Sequence, residues 1–556
     1  MRKLLMLVLA ALAQPALAAV VGTHVTVSAV AGGPERAAHV ASGGGAPVFV
    51  PLVLDAATVV GAHTARPTSR ATGTSTPTAE ATVPASATAP PIPTLEATPT
   101  APPTPSSTPE PAGSPAPPSR SRGYLTTPGE LDAVRRKAAA GIEPYAAAVA
   151  LTLEWADKKW STSGLKDRVK CSGADSPKFM DEESGHTVVY AKALAYHLTG
   201  DPAYAEAVVV ILQTIMSRVR TINYEADGQQ CQLNFGWGTP ELVAAADLIE
   251  DYWAGRTCDG PTGTVYGEDS LGTGPCKVLF QNWLVKNPYY AVSETAAARQ
   301  SNWGAAATNA TAYIADYLWD RPEVTLVHRQ PAQIDGGRDL RFTPGQAYAY
   351  ANKLALDRMN GYRVELASND SCDYLSGEQQ SLAFPAVKSQ ITPAGIIPED
   401  ARREEFCNVP RYNGEYQNYP QVHLGNLVQQ CELMLRRGDR ACYDNIDPTD
   451  VPEHPFQGPD GRPRTVRLWP GRGSVERAID AVIVDAGTEW RHESALYVAY
   501  RYYHRHGQFG HTEVWAPQLQ VPAAGPDQDI AFGTLTHGFA PGEVVADPPA
   551  VAPPAP

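Results

Sequence analysis

From residue 123 to residue 515 the apolar positions recur mostly every third or fourth residue, the spacing of one face of an α-helix. Thr127-Pro128-Gly129-Glu130 has the form of a capping box, and Leu131, Val134 and Ala138 follow it at helical spacing. Tyr145–Trp160 continues the pattern. A helix over His186–Leu198 closes at Thr199-Gly200, and Asp201-Pro202 opens the next, Ala203–Met216. Thr239-Pro240-Glu241 reads as a further start, leading through Ala244, Leu248 and Tyr252. More helices are expected over Asn302–Leu318, Gln346–Asn360, Tyr416–Arg437 and Ser494–His506, with Gly200, Gly438 and Gly507 as stops. Period-2 alternation is scarce. The pattern predicts an all-α fold: an α/α toroid, an incomplete barrel of helical hairpins that each pack mainly on their neighbours.

Outside that stretch the pattern lapses. Residues 1–18 read as an export signal: Arg2 and Lys3, an apolar run Leu4–Ala13, then Ala16-Leu17-Ala18 as a cleavage site. Residues 19–66 hold short β-branched runs but too few apolar residues for a core of their own. Residues 67–122 carry 15 of the 50 prolines among Thr, Ser and Ala, a composition expected to form a disordered stalk. The Pro- and Ala-rich residues 516–556 read as a disordered C-terminal tail. The chemistry is therefore expected in a catalytic domain at 123–515.

Charge and cysteines narrow the setting. A net charge of −14 argues against a nucleic-acid or anionic-membrane partner. No apolar run beyond the signal approaches the roughly 20 residues of a membrane span. All 8 cysteines lie within 123–515, none in a C-x-x-C pair. An even count in an exported chain predicts disulfides. The neighbours Cys258 with Cys276 and Cys431 with Cys442 are the expected local bridges. The expected location is secreted, cell-surface or periplasmic, and the expected state a monomer. There is no P-loop, G-x-S-x-G, dinucleotide fingerprint or H-E-x-x-H, and nothing calls for a metal or cofactor.

Three stretches stand out. Arg299-Gln300-Ser301-Asn302-Trp303-Gly304 opens a helix and reads either as a Ser cap with a packed Trp or as an amide aimed into a cleft. Ala394-Gly395-Ile396-Ile397-Pro398-Glu399-Asp400-Ala401-Arg402-Arg403 presents guanidinium groups suited to a carboxylate. Arg411-Tyr412 and Tyr416-Gln417-Asn418-Tyr419-Pro420-Gln421-Val422-His423-Leu424 lead into a long helix. In their order these stretches resemble the polysaccharide lyases of the alginate-lyase family, whose catalytic domain is an α/α toroid. That family has an Asn-Asn-His or related block at a helix start. A Gly-x-(Leu/Phe)-Pro-x-Glu-x-x-Arg block follows, and then a Tyr that opens a Leu-rich helix. Ala191 to Tyr196 with Thr199-Gly200-Asp201, and Asn234-Phe235-Gly236-Trp237 with Ala244 to Leu248, also look like the family. The likeness spans roughly residues 125–440.

The resemblance implies cleavage of a 4-O-linked uronic acid polymer by β-elimination, an acidic polysaccharide being the partner. The weakly acidic C5 proton can leave only if the neighbouring carboxylate is neutralised, the role implied for Asn302 and Arg402. Tyr416, with its pKa lowered by Arg402, would exchange protons with C5 and O4. Tyr412 is the alternative tyrosine. Trp303 stands where the family has His, so either Tyr416 is both base and acid or His186 or His423 substitutes. A single tyrosine suits mannuronate or glucuronate, whose C5–H and C4–O lie on one face. Trp303, Arg299, Tyr412, His186, His423 and Trp237 are the expected substrate contacts, and Arg299, Arg402, Arg403 and Arg411 the expected local positive field. Two alternatives stay open. One is an α/α-toroid glycoside hydrolase, which needs paired carboxylates; Asp247, Glu250 and Asp251 are available but look like surface positions. The other is an exported carbohydrate-binding protein without catalysis.

Overall fold

Caps set the helix ends where the sequence places them. Thr127 Oγ1 accepts the Glu130 N–H at 3.2 Å and so starts α1, Pro128–Ala139. The helix α2 is Tyr145–Ala156, and α3, His186–Thr199, stops at Gly200, whose φ of 74° suits a residue without a side chain. Asp201 then caps α4, Pro202–Arg218, by accepting the Ala203 N–H at 2.9 Å. The computed structural model describes residues 26–28, 39–41, 120–171, 177–181, 183–222, 230–260, 272–299, 301–330, 337–360, 395, 397, 400, 419–445, 453–457, 463–467, 474–485, 487, 489–507, 510–519 and 529–555. The chain divides into two units, Met1–Pro109 and Glu110–Pro556. In the first, β1, Thr26–Ser28, pairs antiparallel with β2, His39–Ala41.

The second unit is helical. It continues with α5, Gln230–Leu248, α6, Cys276–Leu284, α7, Tyr290–Ala298, α8, Asn302–Tyr317, and α9, Pro344–Asn360. Then come α10, Tyr419–Arg436, α11, Val475–Asp480, α12, Glu493–His506, and α13, Gly533–His537. Short strand pairs fill connections, among them Thr257–Asp259 with Thr273–Pro275. Helix α5 begins before the expected start at Thr239, and Pro240 sits inside it. The proline removes one backbone bond, a loss small beside the burial of most of this helix.

Six helices form an inner ring. Along it α3 packs on α5, α5 on α8, α8 on α10, α10 on α12 and α12 on α13; α13 packs on α2, which returns to α3. They run the same way. His186 meets Glu241 and His197 meets the Leu248 carbonyl, aligning α3 with α5. Asn309 donates to Gln429 and Arg437 to Asp316, aligning α8 with α10. Ser494 meets Gly533 at the start of α12 and α13, and Glu432 meets His537 near the ends of α10 and α13. Helices α4, α7 and α9 each pack on one or two members of this ring, and α2 bridges its two ends. Every residue of α10 after Tyr419 is buried, as is every residue of α8 except Trp303. At Gly236 a Cβ would stand 3.1 Å from that of Ala306, so glycine lets α5 approach α8 closely.

The expectation of a disordered tail after Trp515 is corrected here. Residues 529–537 are buried throughout and supply the sixth inner helix. Phe532 packs on Trp155 and Tyr190, with ring centroids 6.3 and 6.1 Å away. Farther on, the Ala552 carbonyl accepts from Arg122 at 2.8 Å and the Val551 N–H donates to the Arg436 carbonyl at 2.8 Å. Tertiary burial of a few apolar residues orders a segment whose Pro- and Ala-rich composition gives no helical period. Asp247 and Glu250 are also buried and not surface residues. Asp247 accepts the Arg122 and Gly123 N–H groups at 2.8 and 3.0 Å, so the backbone satisfies it.

At the C-terminal ends of the inner helices lies a buried ion network. Arg437 grips Asp316 through Nε and Nη2 at 2.8 and 2.7 Å, and Arg122 adds Nη2 at 3.0 Å. Arg436 bonds Glu432 at 2.8 Å and Glu130 at 3.0 Å. Burial opposes ionisation of Asp316, but Arg437 and Arg122 outweigh it and hold its carboxyl below the usual carboxylate range. Burial opposes ionisation of Glu432 too; His537 and Arg436 outweigh it and bring it down to about 2.

Disulfides Cys258–Cys276 and Cys431–Cys442 form as expected, and a third joins Cys171 to Cys231. They fit an oxidising compartment. Cys372, Cys407 and the signal segment 1–18 lie outside the described residues. Among those described, no helix is long and apolar enough to cross a membrane.

Two predictions follow from the network. Asp316→Ala, which strands two buried guanidinium groups, lowers the unfolding free energy by about 3–5 kcal/mol in urea titrations; a loss under 1 kcal/mol would show the network to be dispensable. Because the folded pKa of Glu432 is depressed to about 2, its contribution is present above its unfolded pKa and lost as pH falls from about 4.5 toward 2. That contribution is on the order of 3 kcal/mol. Melting temperatures taken down this range should therefore fall less steeply for Glu432→Gln than for the parent, and parallel curves would contradict the assignment.

Candidate functional site

At the opposite end, where the inner helices start, the three sequence stretches meet at one carboxylate. Asp400 Oδ1 accepts the Asn302 backbone N–H at 2.9 Å, and Oδ2 contacts His423 Nδ1 at 2.7 Å. Ser301, expected as a possible cap for α8, makes no such bond with its side chain; Asp400 caps the helix across 98 residues of sequence. A carboxylate at a helix start is also favoured by the helix dipole. Asp400, His423 and Asn302 are all nearly inaccessible, at 0%, 3% and 2% exposure. The Asn302 side-chain oxygen is buried and, among the described residues, accepts no hydrogen bond. With Nδ1 committed to Asp400, the second nitrogen of His423, Nε2, is the one left for a proton or a ligand.

A second histidine–carboxylate pair stands at the start of α3. His186 Nδ1 lies 2.6 Å from Glu241 Oε2, which also accepts from Thr187 Oγ1 at 3.0 Å. Met180 and the His186 ring press on Gly238, where a Cβ would come within 2.6 Å of either. A third pair stands at the start of α12, where His492 Nδ1 is 3.1 Å from Asp529 Oδ2. Gly425 on α10 makes room for that carboxylate: a Cβ there would overlap it.

Trp237 on α5 and Trp303 on α8 are half-buried, and the Arg299 guanidinium lies 5.9 Å from the Trp303 ring centre. Arg358 fixes this corner by donating to the carbonyls of Ala296 and Arg299 at 2.6 and 3.1 Å and to Thr308 Oγ1 at 2.7 Å.

Of the residues expected at the site, Asn302, Trp303, Arg299, His186, His423 and Trp237 thus belong to the starting turns of the inner helices, the lead-in to α8, or the adjoining turns of α5. Arg402, Tyr412 and Tyr416 lie outside the described residues, as do Arg403 and Arg411. Sequence reasoning missed Asp400 and Glu241 as holders of histidine. Both stand within quoted motifs, but only the partner's position reveals the role. Among the described residues no group of three or more His, Cys, Asp or Glu could hold a metal ion.

No protein-family profile and no curated protein matches the chain. Among solved structures it is similar to the crystal structure of an alginate lyase from Bacteroides ovatus. The TM-score is 0.42 and the identity 15%, with 72% of this chain and 97% of that chain covered.

Removing the shared carboxylate should disturb both partners at once. Asp400→Ala costs about 1–3 kcal/mol of stability, through the lost cap of α8 and the buried His423 Nδ1 left without an acceptor. Chemical denaturation checks this, and a cost under about 0.5 kcal/mol would mean that neither bond matters.

Proposed function

We propose that this chain is a polysaccharide lyase that cleaves 4-O-linked uronic acid polymers by β-elimination. The observation that supports the reading is the Asp400 carboxylate, bonded at once to the Asn302 N–H and to His423. It keeps an amide and an imidazole together where the inner helices begin. The family-like order of the three sequence stretches supplies the class of reaction.

In this reading the Asn302 amide and the positive ends of the inner helices stabilise the substrate carboxylate as charge moves onto it. His423, held by Asp400, takes the role of the imidazole that Trp303 replaces, and its Nε2 removes the C5 proton. The C5–H electrons form the C4–C5 double bond, and the C4–O bond breaks with its electron pair on oxygen. Tyr416 returns a proton to O4. Arg402, two residues after Asp400 in the chain, would share the carboxylate with Asn302. Trp303 and Trp237 would stack on sugar rings and Arg299 would bind a neighbouring uronate.

A hydrolase finds less support. Asp400 and Glu241 are each committed to a histidine, and Asp247 to the backbone at the far end. Mannuronate-rich alginate and glucuronate polymers remain the first substrates to try. With His423 as base and Tyr416 as acid, guluronate and galacturonate polymers also become accessible.

The test is ultraviolet absorbance of the new double bond, with the full chain on polymannuronate, polyguluronate, glucuronan and pectate. An increase on at least one polymer is expected, reduced about 10²–10⁴-fold by His423→Gln. Reducing ends without absorbance would assign hydrolysis, and neither signal would leave binding alone. An undiminished rate in His423→Gln would move the base to Tyr416.

A further inference from the structure

Residues Asp529–Phe532 reach the same end of the ring and are all buried. The Ala531 N–H donates to Glu241 Oε1 at 3.0 Å. The other oxygen of that carboxylate holds Thr187 Oγ1 at 3.0 Å and His186 Nδ1 at 2.6 Å. A carboxylate engaged on both oxygens cannot turn without breaking a bond. It therefore fixes the neutral imidazole in the tautomer with its proton on Nδ1 and its lone pair on Nε2.

The chain around Ala531 is shaped to deliver that N–H. Phe532 has φ of 59°, and among the described residues it alone of the non-glycines has a positive φ. A side chain of this size rarely adopts that conformation unless its surroundings enforce it. Here the ring is held between Trp155 and Tyr190, and the next N–H, of Gly533, is taken by Ser494 Oγ at 3.1 Å. The turn thus sends the N–H groups of Ala531 and Gly533 to α5 and to α12.

We propose that the C-terminal segment is a working part of the candidate active site: Ala531, acting through Glu241, is a positioning residue that fixes the tautomer and orientation of the His186 imidazole, which is buried at the end of the ring where the uronate substrate is placed. The inference rests on the lyase reading for the substrate, and on geometry alone for the tether.

The test compares Ala531→Gly, which keeps the N–H, with Ala531→Pro, which deletes it, in the full chain. The readouts are histidine nitrogen NMR, with His186 assigned by loss of its signals in His186→Gln, and KM on the polymer that the parent cleaves. The expected result is a parent-like His186 tautomer and KM in Ala531→Gly. In Ala531→Pro the tautomers should mix and KM should rise about 10-fold, the scale of an outer-shell partner. Should Ala531→Pro not fold, Glu241→Gln replaces it with the same expectation, since the amide NH2 that replaces one carboxylate oxygen cannot accept, and the single oxygen left cannot serve the donors on both sides. A folded Ala531→Pro or Glu241→Gln with parent-like His186 nitrogen shifts and KM would overturn the proposal. Failure of the parent to act on any uronate polymer would sink the lyase reading by itself, while the nitrogen spectra still decide whether the tether holds His186.

Discussion

Six inner helices that run the same way place six like ends together, and the rest of the structure answers that constraint. Parallel helix dipoles side by side repel, and each end gathers partial charge of one sign. At the C-terminal ends the chain supplies guanidinium groups: Arg436 and Arg437 at the close of α10, with Arg122 beside Asp316. Cations are the groups those ends favour. The acids there, Asp316, Glu432 and Glu130, neutralise the arginines and let them be buried. At the starting ends the compensation reverses in sign. Asp400 caps α8, Glu241 meets the first turn of α3, and Asp529 lies beside His492 at the head of α12.

This division puts the ion network and the histidine–carboxylate pairs at opposite ends. The C-terminal end is closed by segments distant in sequence, residues 120–125 and 545–552, whose backbone bonds Arg436, Arg437 and Arg122. Buried pairs of this kind stabilise little in sum but cost much when half of one is removed, so they fix which elements must meet. The starting end carries three histidine–carboxylate pairs. Imidazoles can give and take protons near neutrality, whereas guanidinium groups cannot. His186 and His423 each have a carboxylate hydrogen-bonded at Nδ1, so two of the acids that answer the dipoles also set imidazole orientations.

Much of the ring was legible in the chain because its signals are local. The Thr127 cap, the Gly200 stop followed by the Asp201 cap, and the bridges Cys258–Cys276 and Cys431–Cys442 all act within about twenty residues. What escaped was long-range. Helix α13 is five residues long and mostly small or polar, so no window shows its period; Phe532, Glu241 and Ser494 order it from elsewhere in the fold. Asp247 sits on a helix face that looks exposed until the Arg122–Gly123 backbone arrives to cover it. Asp400 carries its meaning only once α8 and α10 are side by side. Likewise Pro240 reads as a helix start, since a broken backbone bond and a first turn look alike in sequence.

The chain's net charge of −14 is at odds with the polyanionic substrate proposed, and the arrangement of the ring offers a resolution. Long-range attraction would be weak at physiological ionic strength in any case, because exposed charges are screened within about 8 Å. What matters is the field among the buried groups where the inner helices start. There the acids are already occupied: Asp400 by an N–H and an imidazole, Glu241 by an N–H, a hydroxyl and an imidazole. Occupied carboxylates project less negative potential than free ones, and the inner helices still direct their amide-rich ends toward the same region. An overall acidic protein can therefore present a locally receptive site to a uronate. The same pairing that steadies the helix starts makes this possible, so the charge balance of the whole chain does not by itself exclude an anionic ligand.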